Sequence, residues 1–328
     1  MPLQDVVTQQ DIFVAQARIR GLVRHTPLIP SEVLPAVAGV DVRLKLETLQ
    51  PTGSFKVRGA ANRILNLSDE ARARGVVTVS TGNHGRAVAY VAREIGLKAT
   101  ICVSERVPPN KIHALKQSGA ELVIHGQSQD EAETRALELV EQHGFTMIHP
   151  FDDPDIITGQ GTIGIELLQD FPQLDTVIVP LSGGGLISGI AIALKAANPA
   201  IRVIGVSMDA GCVMYHSLRA GKPVQLPEAE TLADSLNGGI GLANRYTYRF
   251  VENFVDEVVL VSEAEIEGAM ARVILAHHMI VEGAGAVPVA GLLSGRVQNM
   301  GQHIALILSG GNVDTQTALR ISEKFGGG

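Results

Sequence analysis

Tryptophan is absent from this chain and aromatic residues make up only 4% of it, so the core has to be filled by aliphatic side chains. Cysteine occurs twice, at Cys102 and Cys212, with no C-x-x-C spacing. That excludes a disulfide framework or a zinc ribbon and leaves both thiols as small buried hydrophobes. Basic residues are outnumbered, 27 Lys and Arg against 34 Asp and Glu, for a formal charge of −7. A nucleic-acid footprint needs a basic face, and no run of Lys and Arg supplies one, so nucleic acid is not an expected partner. No stretch approaches the ~18 consecutive apolar residues of a membrane span. The opening MPLQDVVTQQDIFVAQARIRGLV lacks the basic-then-apolar order of a secretory signal. The expectation is a cytoplasmic α/β protein with no membrane partner.

What the sequence does have is alternation. Short β-branched runs at 42–47, 76–80, 99–104, 121–125 and 145–150 read as strands, separated by helical stretches at 55–67, 83–95, 108–118 and 129–143. The stretch 83–95 carries Ala87, Val88, Val91, Ala92 and Ile95 on one face, the spacing of a buried helical stripe. Pro108-Pro109 suits a helix first turn. After residue 150 the alternation restarts, with strands at 175–180, 202–208, 256–261 and 303–309 and helices at 185–197, 263–278 and 284–294. Strand–helix alternation implies parallel sheets covered on both faces. Two such series in 328 residues predict two doubly wound parallel-sheet domains: a large one from 1–50 plus 151–328 and a small, mobile one from 51–150. Residues 209–250 are the least regular, and nothing after about 310 reads as an appended regulatory module.

Four segments carry chemistry, each at a strand end or helix start, where open α/β sheets place ligands. In Pro51-Thr-Gly-Ser-Phe-Lys-Val-Arg-Gly59, Lys56 is set in a loop-to-helix junction between Phe55 and Val57. Partial desolvation there disfavours the ammonium form, and a neutral amine is what Schiff-base chemistry requires. The plain alternative is a surface lysine beside a turn, but of the eight lysines only this one sits in such a junction. Ser182-Gly-Gly-Gly-Leu186 follows a strand and opens a helix. One glycine would serve a turn; three let backbone N–H groups converge on an anion such as a phosphate. Ser80-Thr-Gly-Asn-His84 could hold a carboxylate in the same manner, and Ser309-Gly-Gly-Asn312 ends the last strand. Two other features are set aside. Gly159-x-Gly161-x-x-Gly164 follows no predicted strand and has no acidic residue ~20 positions on, so it is not read as a dinucleotide site. His277 and His278 point apart on a helix and are read as half-buried structural residues rather than a metal pair.

Taken in order and spacing, GSFKVRG, STGNHG, SGGGL and SGGN resemble the fold-type II enzymes that use pyridoxal 5′-phosphate (PLP), of tryptophan synthase β-like fold. Within them the resemblance is to the threonine/serine dehydratase and serine racemase group, from TPLI at Thr26 to SGGNVD at 309–314. It implies that Lys56 carries PLP as a Schiff base and removes the Cα proton. It also implies that Phe55 lies against the pyridine ring, that Asn83 bonds its 3-oxygen and that Ser309 faces its nitrogen. Gly183, Gly184, Gly185 and Leu186 would bind the phosphate, and Ser80, Thr81, Gly82, Asn83 and His84 the substrate carboxylate. Ser80 and Thr81 count with Lys56 as catalytic candidates, and Glu282 in VEGAGA as a group near the ring. The implied activity is β-elimination from a small hydroxy amino acid such as L-threonine or L-serine, giving a 2-keto acid and ammonia, by a homodimer.

Three departures qualify the resemblance. Thr81 stands where racemases of the group have serine, which disfavours racemization. Ser207 and Val213 replace carboxylates of the family's cation site, so no metal is expected. Ser235, in LADSLNGGIG, stands where many dehydratases have glycine. That last change leaves open another hydroxylated substrate, such as 3-hydroxyaspartate or a compound derived from hydroxyectoine, whose utilisation branch also carries the resemblance. The reading of another class, a non-catalytic PLP- or amino-acid-binding module, is opposed by the intact Lys56.

Overall fold

The computed structural model describes residues 6–33, 39–107, 112 and 115–326. The expected helix start at Pro108-Pro109 lies outside them. Six strands form the larger sheet: β1 (Leu28–Pro30), β2 (Asp41–Leu46), β7 (Thr176–Pro180), β8 (Arg202–Met208), β9 (Glu257–Val261) and β10 (His303–Leu308). Their order is β1-β2-β10-β7-β8-β9. All neighbours are parallel except β1, which pairs antiparallel with β2 through Leu28 opposite Lys45. The second sheet is wholly parallel, in the order β5-β4-β3-β6, from β3 (Val76–Val79), β4 (Ala99–Val103), β5 (Glu121–Ile124) and β6 (Thr146–Met147). The strand expected over 145–150 is thus paired for two residues only.

Both sheets are apolar on both faces because helices cover both. Along β10, Ile304, Leu306 and Leu308 join one core cluster while Ala305 and Ile307 join the other. The first cluster is closed by α10 (Glu263–His277), α11 (Gly283–Leu293) and α12 (Thr315–Gly326), the second by α6 (Pro154–Asp170) and α7 (Gly185–Ala197). In the smaller sheet Val76 packs towards α2 (Lys56–Leu65) and α4 (Asn83–Ile95), and Val77 with Cys102 towards α5 (Gln129–His143). Alternate residues therefore serve opposite layers, which is why these strands read as continuous apolar runs. Both cysteines are free and buried. Among the described residues no helix is long and apolar enough to cross a membrane.

Several elements escaped the sequence reading: α1 (Gln9–Ile19), α3 (Asp69–Arg74), α6, α8 (Val213–Ala220), α9 (Thr247–Phe254) and α12. The glycine pattern at 159–164 lies inside α6, where it serves packing. A Cβ at Gly161 would come within 2.9 Å of the Gly189 carbonyl, and one at Gly189 within 2.3 Å of the Ile157 carbonyl. The α6 and α7 backbones meet where only glycine fits. His277 is half-buried and its Nε2 accepts from the Glu32 N–H at 2.9 Å. His278 ends α10 in the left-handed region at φ 54° and is exposed, which corrects the half-buried reading for that residue.

A buried ionic cluster fixes α2 to α6 and to the end of β2. Arg58, fully buried, donates to both Glu47 oxygens at 2.8 Å and to the Glu166 oxygens at 2.6 and 2.9 Å. Lys45 completes it with Nζ 2.6 Å from Glu166. Burial works against the charge on Glu47, but the Arg58 guanidinium outweighs it and holds that carboxyl below its ordinary range. Removing one partner of such a cluster leaves an uncompensated buried charge. Arg58→Ala is expected to lower unfolding free energy by about 3–5 kcal/mol in urea titrations near pH 8. The orphaned carboxyls would then have raised pKa values, so their proton uptake favours the folded variant as pH falls, and the deficit should narrow towards pH 5. A loss below about 1 kcal/mol would mean that the cluster is not what anchors α2.

Candidate active site

Lys56 is the first residue of α2, and the loop that delivers it is laced to the end of β10. Phe55 N–H donates to the Ser309 carbonyl at 3.0 Å, Gly311 N–H donates to the Gly53 carbonyl at 2.9 Å, and Ser54 bridges Gly310. Gly53 has φ +72°, and the Asn312 amide occupies the space where its Cβ would go. The Lys56 amine donates to the Pro150 carbonyl at 2.9 Å and lies 5.3 Å from the centre of the Phe55 ring. Burial pulls its pKa down to about 8, against the opposing pull of the Glu282 carboxylate. A substantial neutral fraction near pH 8 makes this amine a nucleophile.

The triple-glycine turn lies between β7 and α7. Gly184 is the N-cap of α7, with φ +86° and no capping side chain, so the N-terminus of a 13-residue helix is open. Its first-turn N–H groups have no partners within the helix and carry partial positive charge. A Cβ at Gly183 would meet the Phe151 ring at 2.5 Å, and one at Gly185 the Phe151 backbone at 3.0 Å. Phe151 is itself held. His149 Nδ1 accepts from the Phe151 and Asp152 N–H groups at 3.2 and 2.8 Å. The Asp152 carboxylate in turn accepts from the N–H groups of Arg245, Tyr246 and Thr247 at 2.7–2.9 Å, at the start of α9. Segment 149–152 thus supports the amine through Pro150 and the glycine turn through Phe151.

The third wall is the start of α4. Asn83 Nδ2 donates to Glu282 Oε1 at 2.8 Å, and Asn83 Oδ1 accepts from Asn312 Nδ2 at 2.7 Å. Ser80 Oγ accepts from Gly82 N–H at 3.3 Å. His84 donates from Nε2 to the Ile148 carbonyl at 2.9 Å, and burial holds its pKa down to about 3. It is therefore neutral, and what it can offer an anion is its backbone N–H in the helix first turn. Glu282 is 4% exposed. Burial first and the charge of Asp234 second push its pKa up to about 7, against hydrogen bonds from Asn83, Asn312 and Ser235.

All the residues singled out from the sequence, from Phe55 and Lys56 through Ser80, Thr81, Gly82, Asn83 and His84 to Gly183–Leu186, Glu282 and Ser309, line one cavity of ≈690 Å³. Sequence reasoning missed its supports, Pro150, Phe151, Asp152 and Asn312. Asn312 was visible as the last residue of SGGN; the others follow β6 with no motif to mark them. Ser207 and Val213 do not reach this cavity. Ser207 is buried with Oγ 3.6 Å from Met208 Sδ, and Val213 belongs to the apolar core.

A half-buried amine of lowered pKa, a glycine turn in which added Cβ atoms would collide with Phe151 and a buried Ser309 hydroxyl (3% exposed) share one cavity, a donor set suited to an enzyme that binds a phosphorylated aldehyde. PLP fits this donor set. The chain belongs to the family described as pyridoxal-phosphate dependent enzyme, whose signature matches residues 19–310. It is 49% identical over 305 residues to the Sinorhizobium fredii protein named "Putative threonine dehydratase", covering 93% of this chain and 92% of that one. It is 41% identical over 319 residues to the L-threonine ammonia-lyase of Thermotoga maritima, covering 97% and 79%. Maize serine racemase superposes with a TM-score of 0.90 at 37% identity, covering 97% of this chain and 98% of that one.

The lowered pKa of Lys56 has a kinetic consequence. Capture of PLP by apoprotein, followed by the visible band, should accelerate about tenfold per pH unit while the amine is mostly protonated. It should level off near pH 8, the value to which the amine is shifted. Glu282→Gln removes a charge that raises this pKa, so its plateau should begin at lower pH. A plateau reached only near pH 10, the range of an unperturbed lysine, would contradict the assignment.

Proposed function

We propose that this protein is a PLP-dependent ammonia-lyase that eliminates water from a small β-hydroxy amino acid such as L-threonine or L-serine. The observation that carries the reading is the Lys56 amine facing, across one cavity, the open N-terminus of α7 and the start of α4. The names of the Sinorhizobium and Thermotoga relatives support the same chemistry. When bound, PLP supplies an electron sink for the bond broken at the substrate Cα.

The chain's own residues do the rest. The N–H groups of Gly183–Leu186 hold the phosphate and fix the register of the cofactor against Lys56. Phe55 and Asn83 limit the tilt of the ring, and Glu282 and Asn312 fix the Asn83 amide. Ser309, a neutral hydroxyl lining the same cavity, would face the ring nitrogen and would not enforce protonation there. Ser80, Thr81 and the first-turn N–H groups of α4 orient the substrate carboxylate. The Lys56 amine, held at 2.9 Å by the Pro150 carbonyl, would accept the Cα proton. The β-hydroxyl departs as water, taking up in net the proton removed from Cα, and the freed enamine tautomerises to an imine that a water molecule hydrolyses to a 2-keto acid and ammonia. In this reading residues 51–150 form the smaller mobile domain and 1–50 plus 151–328 the larger one. The assembly is a cytoplasmic homodimer.

A second reading keeps the chemistry and enlarges the substrate to a hydroxylated compound such as one derived from hydroxyectoine. Ser235 favours it, since it brings a hydroxyl 3.4 Å from Asn83 Nδ2 inside the cavity. The test is keto-acid and ammonia release from L-threonine, L-serine and hydroxyectoine-derived amino acids by wild type and Lys56→Ala. Release by wild type, its loss by at least ~10³-fold in the variant and borohydride trapping of a pyridoxyl group on Lys56 are expected. Trapping on another side chain would refute the role of Lys56.

A further inference from the structure

The cavity wall is electrically lopsided. Among the described residues it includes five acidic side chains, Asp130, Glu133, Glu228, Asp234 and Glu282, against one basic side chain, Lys56, and a neutral His84. The carboxylates come from opposite sides. Asp130 and Glu133 stand in the first turns of α5, on the smaller sheet, while Glu228 and Asp234 lie in the segment between α8 and α9. All four of these are exposed and form the mouth, whereas Glu282 lies deeper.

Within the proposed function, every attractive site for an anion already has an occupant. Lys56 and the start of α7 serve the cofactor, and the start of α4 serves the substrate carboxylate. What remains for the substrate side chain is the acidic mouth with the neutral polar groups Gln225, Ser235 and Asn237. A partly enclosed cleft screens charge less than open surface does, and lining of one sign repels ligands of that sign. Rejection by a misplaced like charge is a common source of specificity.

We propose that this cavity selects β-hydroxy amino acids whose side chains end in neutral or cationic groups, and rejects those ending in a carboxylate. The inference rests on the ammonia-lyase reading and names the substrate class within it. It ranks 3-hydroxyaspartate below threonine, and it admits a side chain bearing an ammonium or amidinium group.

The experiment uses the holoenzyme with L-threonine, threo-3-hydroxy-L-aspartate and threo-3-hydroxy-L-ornithine. Ammonia release gives kcat/KM, and displacement of the cofactor's visible band gives the affinity for each. Hydroxyaspartate is expected to fall at least about tenfold below threonine in both readouts, with hydroxyornithine at or above threonine. In the double variant Asp130→Asn/Glu133→Gln, and separately in Glu228→Gln, the ratio of hydroxyaspartate to threonine should rise while that of hydroxyornithine to threonine falls. Equal handling of hydroxyaspartate and threonine, or ratios unmoved in both variants, overturns the proposal. Absence of ammonia from all three amino acids defeats the ammonia-lyase reading instead. The band titration then still ranks the three, and the same order supports the selectivity while any other order overturns it.

Discussion

The backbone of residues 53–55 is hydrogen-bonded to the backbone of 309–311, and Asn312 Nδ2 closes the junction by donating to the Thr52 carbonyl at 2.8 Å. The amine-bearing wall of the site takes its position from this lacing. It fixes where α2 begins, hence where the Lys56 side chain starts, and it does so from the end of a central strand of the larger sheet. The same strand end carries Ser309, so backbone hydrogen bonds set the spacing between the Lys56 and Ser309 main chains, and the bond to the Pro150 carbonyl places the amine from there. Buried backbone bonds of this kind are costly to break because each leaves a polar group unsatisfied. The Arg58 cluster works two residues further along α2, preventing the helix from rolling about its first residue.

Much of this was legible in the sequence. Strand–helix alternation pointed to two mainly parallel sheets because a strand covered on both faces is mostly apolar, and β4, β7 and β10 are buried nearly throughout. The four motifs converged because each contains residues that packing alone does not require: three successive glycines, a lysine between apolar neighbours, an asparagine opening a helix. Where the reading fell short, the reasons are physical. Helix α6 is buried nearly all round, so it lacks the amphipathic stripe by which helices are recognised. Its glycines imitate a nucleotide loop although they serve helix contact. Pro150, Phe151 and Asp152 act through a carbonyl, a ring face and a cap on a helix about 95 residues away, and none of these leaves a local pattern.

Glycine is used here for two unrelated purposes. In α6 and α7 it removes volume so that two backbones can touch, and a conformation available to any residue suffices. At Gly183–Gly185 it removes volume so that the Phe151 ring can pack beneath the turn, and Gly184 also needs its positive φ. A pattern search cannot separate these cases, but the flanking elements do. The cradle follows a strand and opens a helix, while the α6 glycines follow an aspartate-capped helix start at Asp153.

The acidic wall explains why the anion turn is built as it is. A cavity whose described lining has five acidic side chains and one lysine is a poor host for a phosphate, and in the proposed function that lysine is committed to the aldehyde. The turn must therefore attract the phosphate with neutral donors. Several N–H groups converging at a helix start accomplish this through short-range hydrogen bonds and the helix dipole, which act within one turn and do not offset the charge of the mouth further out. An arginine in the cradle would bind phosphate as well but would spread positive potential through the cavity. Under the proposed function, backbone donors would confine the attraction to the cofactor's end, so that the phosphate and the substrate side chain would meet opposite electrostatic conditions within a single cleft.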